Sequence, residues 1–274
     1  MPIILILFSL SYIYYFYSIN GDFFNKDISL TGGTSITIYD SNLNENQLKQ
    51  DLNGELEDLN TRNVYDLVTG VQKAIILETK TNGDEAKKIL EDYLGYNLTS
   101  ENSSFEFTGS SLGQSFYKQL LIAILFAFFL MALVVFILFR TFVPSIAVIT
   151  SAFADILMTL TLVDMLNMRI SSAGIVAFLM LIGYSVDTDI LLTNRILKRH
   201  NGSVNQRIYG AFKTGITMTL TSLLAIVAAL FVAKTFSQVL YQIFFILSIG
   251  LSFDILNTWI TNVSILKWYV EKKK

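Results

Sequence analysis

Residues 117–139 have the sequence YKQLLIAILFAFFLMALVVFILF, in which Lys118 is the one charged side chain in 23 positions. A helix of about 20 apolar residues is long enough to cross the hydrocarbon core of a membrane. A soluble helix keeps a polar face, so a stretch that is apolar on all sides predicts a helix surrounded by lipid. This stretch therefore decides the class of the protein.

Five further stretches have the same length and apolar character. The six predicted spanning helices cover residues 3–19, 117–139, 145–163, 171–196, 211–233 and 239–266. The first lacks the basic start and the small-residue cleavage site of a signal peptide, and its tyrosine-rich end suits a membrane interface. We therefore interpret it as a retained anchor.

Residues 20–116 have a different composition, with 16 acidic and 7 basic residues between Asp22 and Glu106, a net charge of −9. Strand-like and helix-like patterns alternate there and predict the order β-α-β-β-α-β, a small α+β domain of the ferredoxin-like type. The predicted fold class is an α-helical integral membrane protein with six transmembrane helices and one such domain. Residues 117–266 would form a five-helix bundle and residues 267–274 a basic tail.

The predicted strands of this domain cover residues 35–39, 63–68, 73–79 and 104–108, with a turn at Gly70. The first helix begins at Asn44, with Gln47 as a capping-box partner. Its predicted apolar face consists of Leu48, Leu52, Leu56 and Leu59. The second helix begins after Asn82 and stops at Gly95, with an inward face of Ala86, Ile89, Leu90, Tyr93 and Leu94.

Basic residues in the short connections predict the orientation in the membrane, because they concentrate on the cytoplasmic side. Only Arg169 and Lys234 lie on the opposite side. Ten basic residues follow the even-numbered helices: Arg140, Arg195, Lys198, Arg199, Arg207, Lys213, Lys267, Lys272, Lys273 and Lys274. Both termini are therefore expected in the cytoplasm and residues 20–116 outside a cytoplasmic (plasma) membrane.

The composition excludes several classes of site. The chain has no cysteine and one histidine, His200, so it lacks the residues for a disulfide framework, a thiolate metal site or a histidine metal cluster. The acidic domain argues against nucleic acid, which requires a basic surface. No nucleophile and base pair and no phosphate-binding loop are recognisable. The sequence therefore predicts no catalytic residue, metal or cofactor, and a protein that is not an enzyme.

Small and hydroxylated residues recur every four positions along three spans, which favours close packing between helices. The third span carries Ala147, Ser151, Asp155 and Thr159. The fifth carries Lys213, Thr217, Thr221, Ala225, Ala229 and Ala233, and the sixth carries Gly250, Asp254, Asn257, Thr258 and Thr261. Packing alone accounts for the alanines and threonines.

Four acidic residues, Asp155, Asp187, Asp189 and Asp254, fall within spans, where a charge costs about 2.5–3.5 kcal/mol even on an insertion scale. The cost falls when the carboxyl is protonated, and a carboxyl that alternates between the two forms can carry a proton. These residues are the candidates for ion coupling, with Asp187 first. The alternative is a neutral or paired acid that only fixes helix packing.

Asp187 and Asp189 lie about 200° apart around one helix, so one should face the bundle and the other a cleft or a partner. Lys213 begins the fifth span on its small-residue face. It is either a lysine that extends to the membrane surface or a counter-ion for a carboxylate of the fourth span.

Four motifs resemble those of the SecD/SecF family of protein-export membrane proteins, in the family's order and across nearly the whole chain. They are LTGGT at 30–34, FRTFVPSIAV at 139–148 followed by Asp155, GYSVDTDILLT at 183–193, which resembles the archaeal form of the SecF branch, and KTGITMTLT at 213–221. The motif residues are Gly32, Gly33, Arg140, Pro144, Gly183, Tyr184, Thr217 and Thr221.

The resemblance implies an accessory subunit of the Sec protein-export machinery, with a membrane arrangement akin to resistance-nodulation-division transporters. Its implied partners are a SecD-like membrane protein, the translocon channel, the translocating polypeptide and membrane lipid. It also implies that a flow of protons, or in some members of sodium ions, drives export. Bacterial members have Asn-Asp where this chain has Asp187 and Thr188, and arginine where Lys213 stands. Lysine keeps the charge but loses the planar fork.

Two other functions remain open from the sequence. A translocon subunit without ion coupling would use the carboxylates only to hold helices or to dock a partner. A small-molecule efflux transporter would share the membrane fold but usually needs large outer domains for a substrate pocket.

Overall fold

The computed structural model describes residues 2–66, 69–198 and 202–272. Five residues used in the predictions lie outside these ranges: Val68, Arg199, His200, Lys273 and Lys274.

Six of the described helices are long and apolar enough to cross a membrane. They are α1 (Pro2–Asn20), α5 (Ser110–Phe139), α6 (Phe142–Met165), α7 (Ser172–Lys198), α8 (Val204–Phe236) and a sixth that consists of α9 (Gln238–Leu256), a π-helical turn (Asn257–Asn262) and α10 (Val263–Lys272). Between α1 and α5 lie α2 (Ile28–Thr31), β1 (Gly33–Ile38), α3 (Glu45–Leu52), β2 (Asn60–Tyr65), β3 (Gln72–Thr79), α4 (Gly83–Leu94) and β4 (Ser103–Thr108). The six predicted spans are all found. Most of the helices extend beyond the predicted bounds, whereas α5 ends at the predicted Phe139 and α7 begins one residue later than predicted.

The link between α5 and α6 shows how the sequence ends one helix and starts the next. Arg140 closes α5 in the left-handed conformation, with φ of 51°. Pro144 lies in the first turn of α6, where its missing N–H has no intrahelical partner to lose. The chain can therefore reverse within two residues, and α5 packs antiparallel to α6.

The four strands form one antiparallel sheet in the order β2-β3-β1-β4. The predicted element order β-α-β-β-α-β is the one observed. Asn44 and Asn82 cap α3 and α4 through their side chains, and Gly95 ends α4 with φ of 75°, as expected from the sequence. One face of the sheet is covered by α3 and α4 around a core that includes Ile36, Ile75 and Leu90.

Several details of the domain differ from the prediction. The second strand begins at Asn60 rather than residue 63. Helix α3 ends at Leu52, so Leu56 and Leu59 are buried from the following loop instead of from a helix. Tyr93, predicted to face inward, is 37% exposed because its hydroxyl donates to Asp51 on α3, which draws the ring to the surface.

Glycines of the LTGGT motif let three elements meet without side chains between them. Gly33 has φ of 151° and lies against the backbone of Thr79 at the end of β3. Gly113 near the start of α5 packs on the backbone of Leu30 and Gly32, where a Cβ atom would come within 2.8 Å of the Gly32 nitrogen. The motif therefore attaches the sheet to the first turn of α5.

The sheet domain also docks on the connection between α6 and α7. Lys26 and Ile170 form a short parallel bridge, in which the Asp27 N–H donates to the Ile170 carbonyl at 3.1 Å and the Ile170 N–H donates to the Asn25 carbonyl at 2.7 Å. Arg169 binds the carboxylate of Asp58 at 2.6 Å. A cavity of about 620 Å³, lined in part by Glu78 and Gln242, lies between the domain and the helices.

Helices α6, α7 and α9 form the centre of the bundle, whereas α1, α5 and most of α8 expose their side chains. The exposed apolar side chains of α5 agree with its predicted place against lipid. Tyr12 of α1 donates to Asp164 of α6 at 3.0 Å and holds the first span against the bundle.

Candidate functional site

Three carboxyl groups lie together inside the membrane bundle, each from a different spanning helix. Asp155 comes from α6, Asp189 from α7 and Asp254 from α9, and each is 0% exposed. Each acid belongs to a row of small and polar residues, four positions apart, on its own helix. The acid is buried because that row faces the interior of the bundle. Hydroxyl and amide side chains of the same helices connect the three carboxyls.

Asp155 accepts hydrogen bonds from two neighbouring helices. The Ser185 hydroxyl of α7 donates to Oδ2 at 2.6 Å, and Nδ2 of Asn257, in the π-helical turn, donates to Oδ1 at 2.7 Å. These bonds join α6, α7 and the sixth span at one point.

Asp189 receives both of its hydrogen bonds on Oδ1, from the Thr258 hydroxyl at 2.8 Å and the Asn262 amide at 2.6 Å. Its other oxygen, Oδ2, and the hydroxyl of Ser151 are buried without a hydrogen bond of good geometry. The Ser151 and Asp189 side chains are nevertheless close enough to interact. Oδ2 is therefore less fully hydrogen-bonded than Oδ1, which makes it the better placed of the two oxygens to accept a proton or a cation.

Asp254 is bonded by two threonine hydroxyls. Thr188 of α7 lies 3.1 Å from Oδ2 and 3.2 Å from Oδ1, and Thr258 lies 3.1 Å from Oδ1. Since Thr258 also contacts Asp189, one hydroxyl connects two carboxyls.

The π-helical turn explains how one helix supplies three of these donors. In a π-helix the backbone bonds run from residue i to i+5, and such turns are frequent at functional sites. Asn257, Thr258 and Asn262 are all buried at 0% exposure and all bond an acid. The wider turn therefore presents Asn257 and Asn262 on the same side of the span.

No basic side chain compensates the cluster among residues 2–66, 69–198 and 202–272. None of the ion pairs there involves Asp155, Asp189 or Asp254. The amide oxygens of Asn257 and Asn262 are also buried without partners. In that part of the chain no three acidic or histidine side chains are arranged to hold a metal ion. The arrangement is chemically suited to a proton or a small cation that exchanges between oxygens.

The structure separates the other two ion-coupling candidates from this cluster. Asp187 is exposed on the opposite side of α7, next to the exposed Gly183 and Tyr184. Lys213 is exposed on α8, together with Thr217 and Thr221. Lys213 is therefore no counter-ion of the buried acids in this chain. The predicted small-residue row of α8 is buried only at Ala233, and its remaining positions are exposed or half-buried.

The polar residues that sequence reasoning missed are Ser185, Thr188 and Asn262. Ser185, Asp189 and Thr193 repeat every four residues along α7, the same spacing that was used for the other spans. Applied to α7, this spacing selects Asp189 as the inward acid. Asn262 continues the row of Asp254 and Thr258 by one more step of four.

Residues 88–272 match the family described as protein export membrane protein SecD/SecF, C-terminal. The protein-export membrane protein SecF of Methanocaldococcus jannaschii is 41% identical over 251 residues, which cover 89% of this chain and 87% of that protein. The SecF of Haloquadratum walsbyi is 34% identical over 278 residues, 98% of this chain and 90% of that protein.

Two solved structures share the fold. SecDF of Thermus thermophilus, described as a translocon-associated membrane protein, superposes with a TM-score of 0.77 at 20% identity, and the match covers 98% of this chain and 37% of that chain. A SecDF structure in a super-membrane-facing form has a TM-score of 0.61 at 19% identity and covers 99% of this chain and 38% of that one. The chain thus corresponds to somewhat more than a third of SecDF.

Proposed function

Because the chain belongs to the SecF branch of the SecD/SecF family of protein-export membrane proteins, we propose that it assists the Sec machinery in moving secreted polypeptides across the cytoplasmic membrane. The observation that carries this proposal is the similarity to SecF of Methanocaldococcus jannaschii over 89% of this chain.

A SecD-like membrane protein is the proposed partner. The match covers 37% of SecDF, and a SecD-like protein would correspond to the part of SecDF that this match leaves out. The exposed face of α8 around Thr217 and Thr221 supports this partner, because small residues at four-residue spacing favour close helix contacts. Asp187 and Tyr184 are exposed on α7 and would also contact the SecD-like partner.

The second part of the proposal is ion coupling through Asp155, Asp189 and Asp254. Three buried acids without a basic partner among the described residues cannot all be ionised cheaply in hydrocarbon. Uptake of a proton or another cation removes that cost, and release restores the charge. Asp189 is the best-suited group because its Oδ2 is buried and lacks a well-formed hydrogen bond. In this scheme Asp187 and Lys213 act at the partner contact.

The orientation proposed from the basic residues has both termini in the cytoplasm and the sheet domain outside, as an extracytoplasmic ferredoxin-like domain. The docking of this domain on the α6–α7 connection gives a route by which a change in the bundle reaches it. Arg169 and Ile170 belong to that connection, and α6 and α7 carry Asp155 and Asp189.

A subunit without ion coupling is the second candidate, and one observation favours it. Every buried acid accepts hydrogen bonds from neutral side chains, so the three carboxyls can also serve as fixed connections between helices. The two candidates differ in whether neutral amides can replace the acids without loss of function.

The proposed function is tested by affinity purification from gentle detergent. We expect a SecD-like protein and the translocon channel to be recovered with the tagged chain. Recovery of the chain alone, under conditions in which the SecD-like protein still binds the channel, would contradict the proposal.

A further inference from the structure

The sheet has two edges, and the edge formed by β2 is protected. A β-bulge between Val64 and Tyr65 disturbs its register with β3. Arg62 in the middle of β2 forms an ion pair with Glu78 at 2.8 Å, and α8 contacts the strand. Bulges, charged side chains and covering elements are the usual means by which a sheet edge is closed to other strands.

The edge formed by β4 carries fewer of these protections, since it has no bulge and its one charged residue is Glu106, which is exposed in the middle of the strand. Its sequence, SSFEFT, contains no proline or basic residue, and it pairs with β1 in unbroken register over six pairs. Ser103–Thr108 would present an edge of about 20 Å to another chain. An edge with unbroken register and a single acidic side chain can still act as a template for a further strand.

The hydrogen-bond pattern between β1 and β4 shows which backbone groups of β4 do not point toward β1. The Tyr39 N–H donates to the Asn102 carbonyl at 2.9 Å, so these two residues form a hydrogen-bonded pair. Such pairs alternate with non-bonded pairs along an antiparallel ladder. Phe105 and Phe107 therefore fall in non-bonded pairs, and their N–H and C=O groups point away from β1 toward the open edge.

The side chains of the same two residues add apolar surface to that edge. Phe105 and Phe107 lie opposite Ile36 and Thr34, on the face covered by helices, yet they are 37% and 66% exposed. A groove of about 440 Å³ continues along this face, lined by Tyr39, Lys87, Leu98, Ser103, Ser104 and Phe105. A strand added to β4 would bury both rings and pass beside the groove.

We infer that the free edge of β4 is a strand-addition site, at which an extended segment of an unfolded polypeptide pairs with Phe105 and Phe107 as a fifth strand. The segment carries apolar side chains at alternate positions, which pack beside the two rings, and few acidic residues. Only the source of this segment, a chain in transit across the membrane, rests on the proposed function.

The acidic charge of the domain favours an unfolded segment over a second copy of the chain as the occupant of this edge. The region from Asp22 to Glu106 has a net charge of −9, so two copies meeting edge to edge would repel each other. An unfolded segment that is neutral or basic meets no such repulsion.

The test uses the full chain in detergent and a fluorescent 12-residue peptide of alternating valine and threonine with lysine at both ends. We expect saturable binding by fluorescence anisotropy. The Phe107→Pro variant removes an outward N–H without removing a bond to β1, and its affinity should fall at least about tenfold. The matched Phe107→Thr variant keeps the N–H and should lose only about two- to threefold.

A second peptide keeps the inference testable if the proline variant unfolds. It has the same side chains but methylated amides at alternate residues, so it cannot form the ladder on one side. Equal binding of both peptides to the unaltered chain, or undiminished binding by a folded Phe107→Pro protein, would overturn the inference. A dimer in sedimentation that Phe107→Pro abolishes would assign the edge to a second copy and would also overturn it. None of these results bears on co-purification with a SecD-like protein.

Discussion

Asn262 donates a hydrogen bond of 2.6 Å from Nδ2 to Oδ1 of Asp189 and so joins the sixth span to the fourth inside the bundle. Both side chains are 0% exposed. The amide offers a donor without a charge, so it holds the carboxyl in place and leaves its protonation free to change. A lysine at this position would instead fix the carboxylate in its ionised form.

Replacing the amide of Asn262 tests how much its hydrogen bond to Asp189 contributes to stability. Asn262→Leu keeps the approximate size of the side chain but removes the donor, so Oδ1 of Asp189 retains only Thr258. We expect the free energy of unfolding in detergent to fall by about 1–3 kcal/mol, the cost of leaving a buried acceptor under-bonded. Thermal unfolding followed by circular dichroism measures the change.

Ser264→Ala is the matched control, since Ser264 is exposed on α10 and donates only to the Ile260 carbonyl of its own helix. Its stability should change by less than about 0.5 kcal/mol. Equal stability of the Asn262→Leu and Ser264→Ala variants would mean that the amide does not support the cluster.

The sequence predicted the spans and the domain better than it predicted the inward acid. Hydropathy is a property of whole segments, so all six spans were found to within a few residues at most ends. Which of Asp187 and Asp189 faces inward depends on the rotation of α7, and that rotation follows from the packing of its apolar residues against α6 and α9. The four-residue row of Ser185, Asp189 and Thr193 would have indicated it.

Other differences arise from tertiary contacts that no local pattern contains. The π-helical turn at Asn257–Asn262 has no recognisable sequence of its own, so the reach of Asn262 to Asp189 was not foreseen. Leu56 and Leu59 match a helical period by coincidence, since a loop buries them equally well. The row of α8 was interpreted as internal packing, but in this chain it faces outward.

Because Gly113 is closely packed, the addition of one methyl group at this position should destabilise the protein. Gly113→Ala places Cβ within 2.8 Å of the Gly32 nitrogen, so α5 and the LTGGT segment must separate. We expect a loss of about 1–3 kcal/mol in unfolding free energy. Gly109→Ala, at a glycine with open space around it, is the control and should be tolerated. Similar stability of both variants would exclude a packing role for Gly113.

The carboxyl of Asp27 should make the stability of the protein depend on pH. Burial raises the pKa of Asp27 from 3.8 to about 6, and the negative charge of Glu78 acts in the same direction. The folded protein therefore holds this proton more tightly than the unfolded chain, and the contribution of Asp27 to stability falls as the pH rises from about 3.8 to about 6.

Asp27→Asn should remove that dependence, because the amide oxygen still accepts the Ile28 N–H without becoming charged. We expect a flatter profile of unfolding temperature between pH 4 and pH 7, and at pH 7 a gain of at most about 3 kcal/mol. Asp92→Asn, at an exposed position of α4, serves as control. An unchanged slope in Asp27→Asn would show that Asp27 ionises equally in both states.

A larger side chain on the exposed face of α8 should weaken binding of the SecD-like partner. Thr217→Trp prevents a second helix from approaching the small-residue row, and recovery of the SecD-like protein should fall at least about fivefold. Leu125→Trp on the lipid-facing α5 adds similar bulk elsewhere and should leave recovery unchanged. Full recovery with Thr217→Trp would place the partner on another face.

In the proposed function, Asp155, Asp189 and Asp254 exchange a cation during export. The most direct measurement is proton flux, followed with a pH-sensitive dye, in vesicles that contain the chain, its SecD-like partner and the channel. We predict that Asp189→Asn abolishes the flux while the protein stays folded and assembled, and that Ser252→Ala, an exposed neutral change on α9, preserves it. Flux and export that persist when all three acids are replaced by asparagine would contradict the claim.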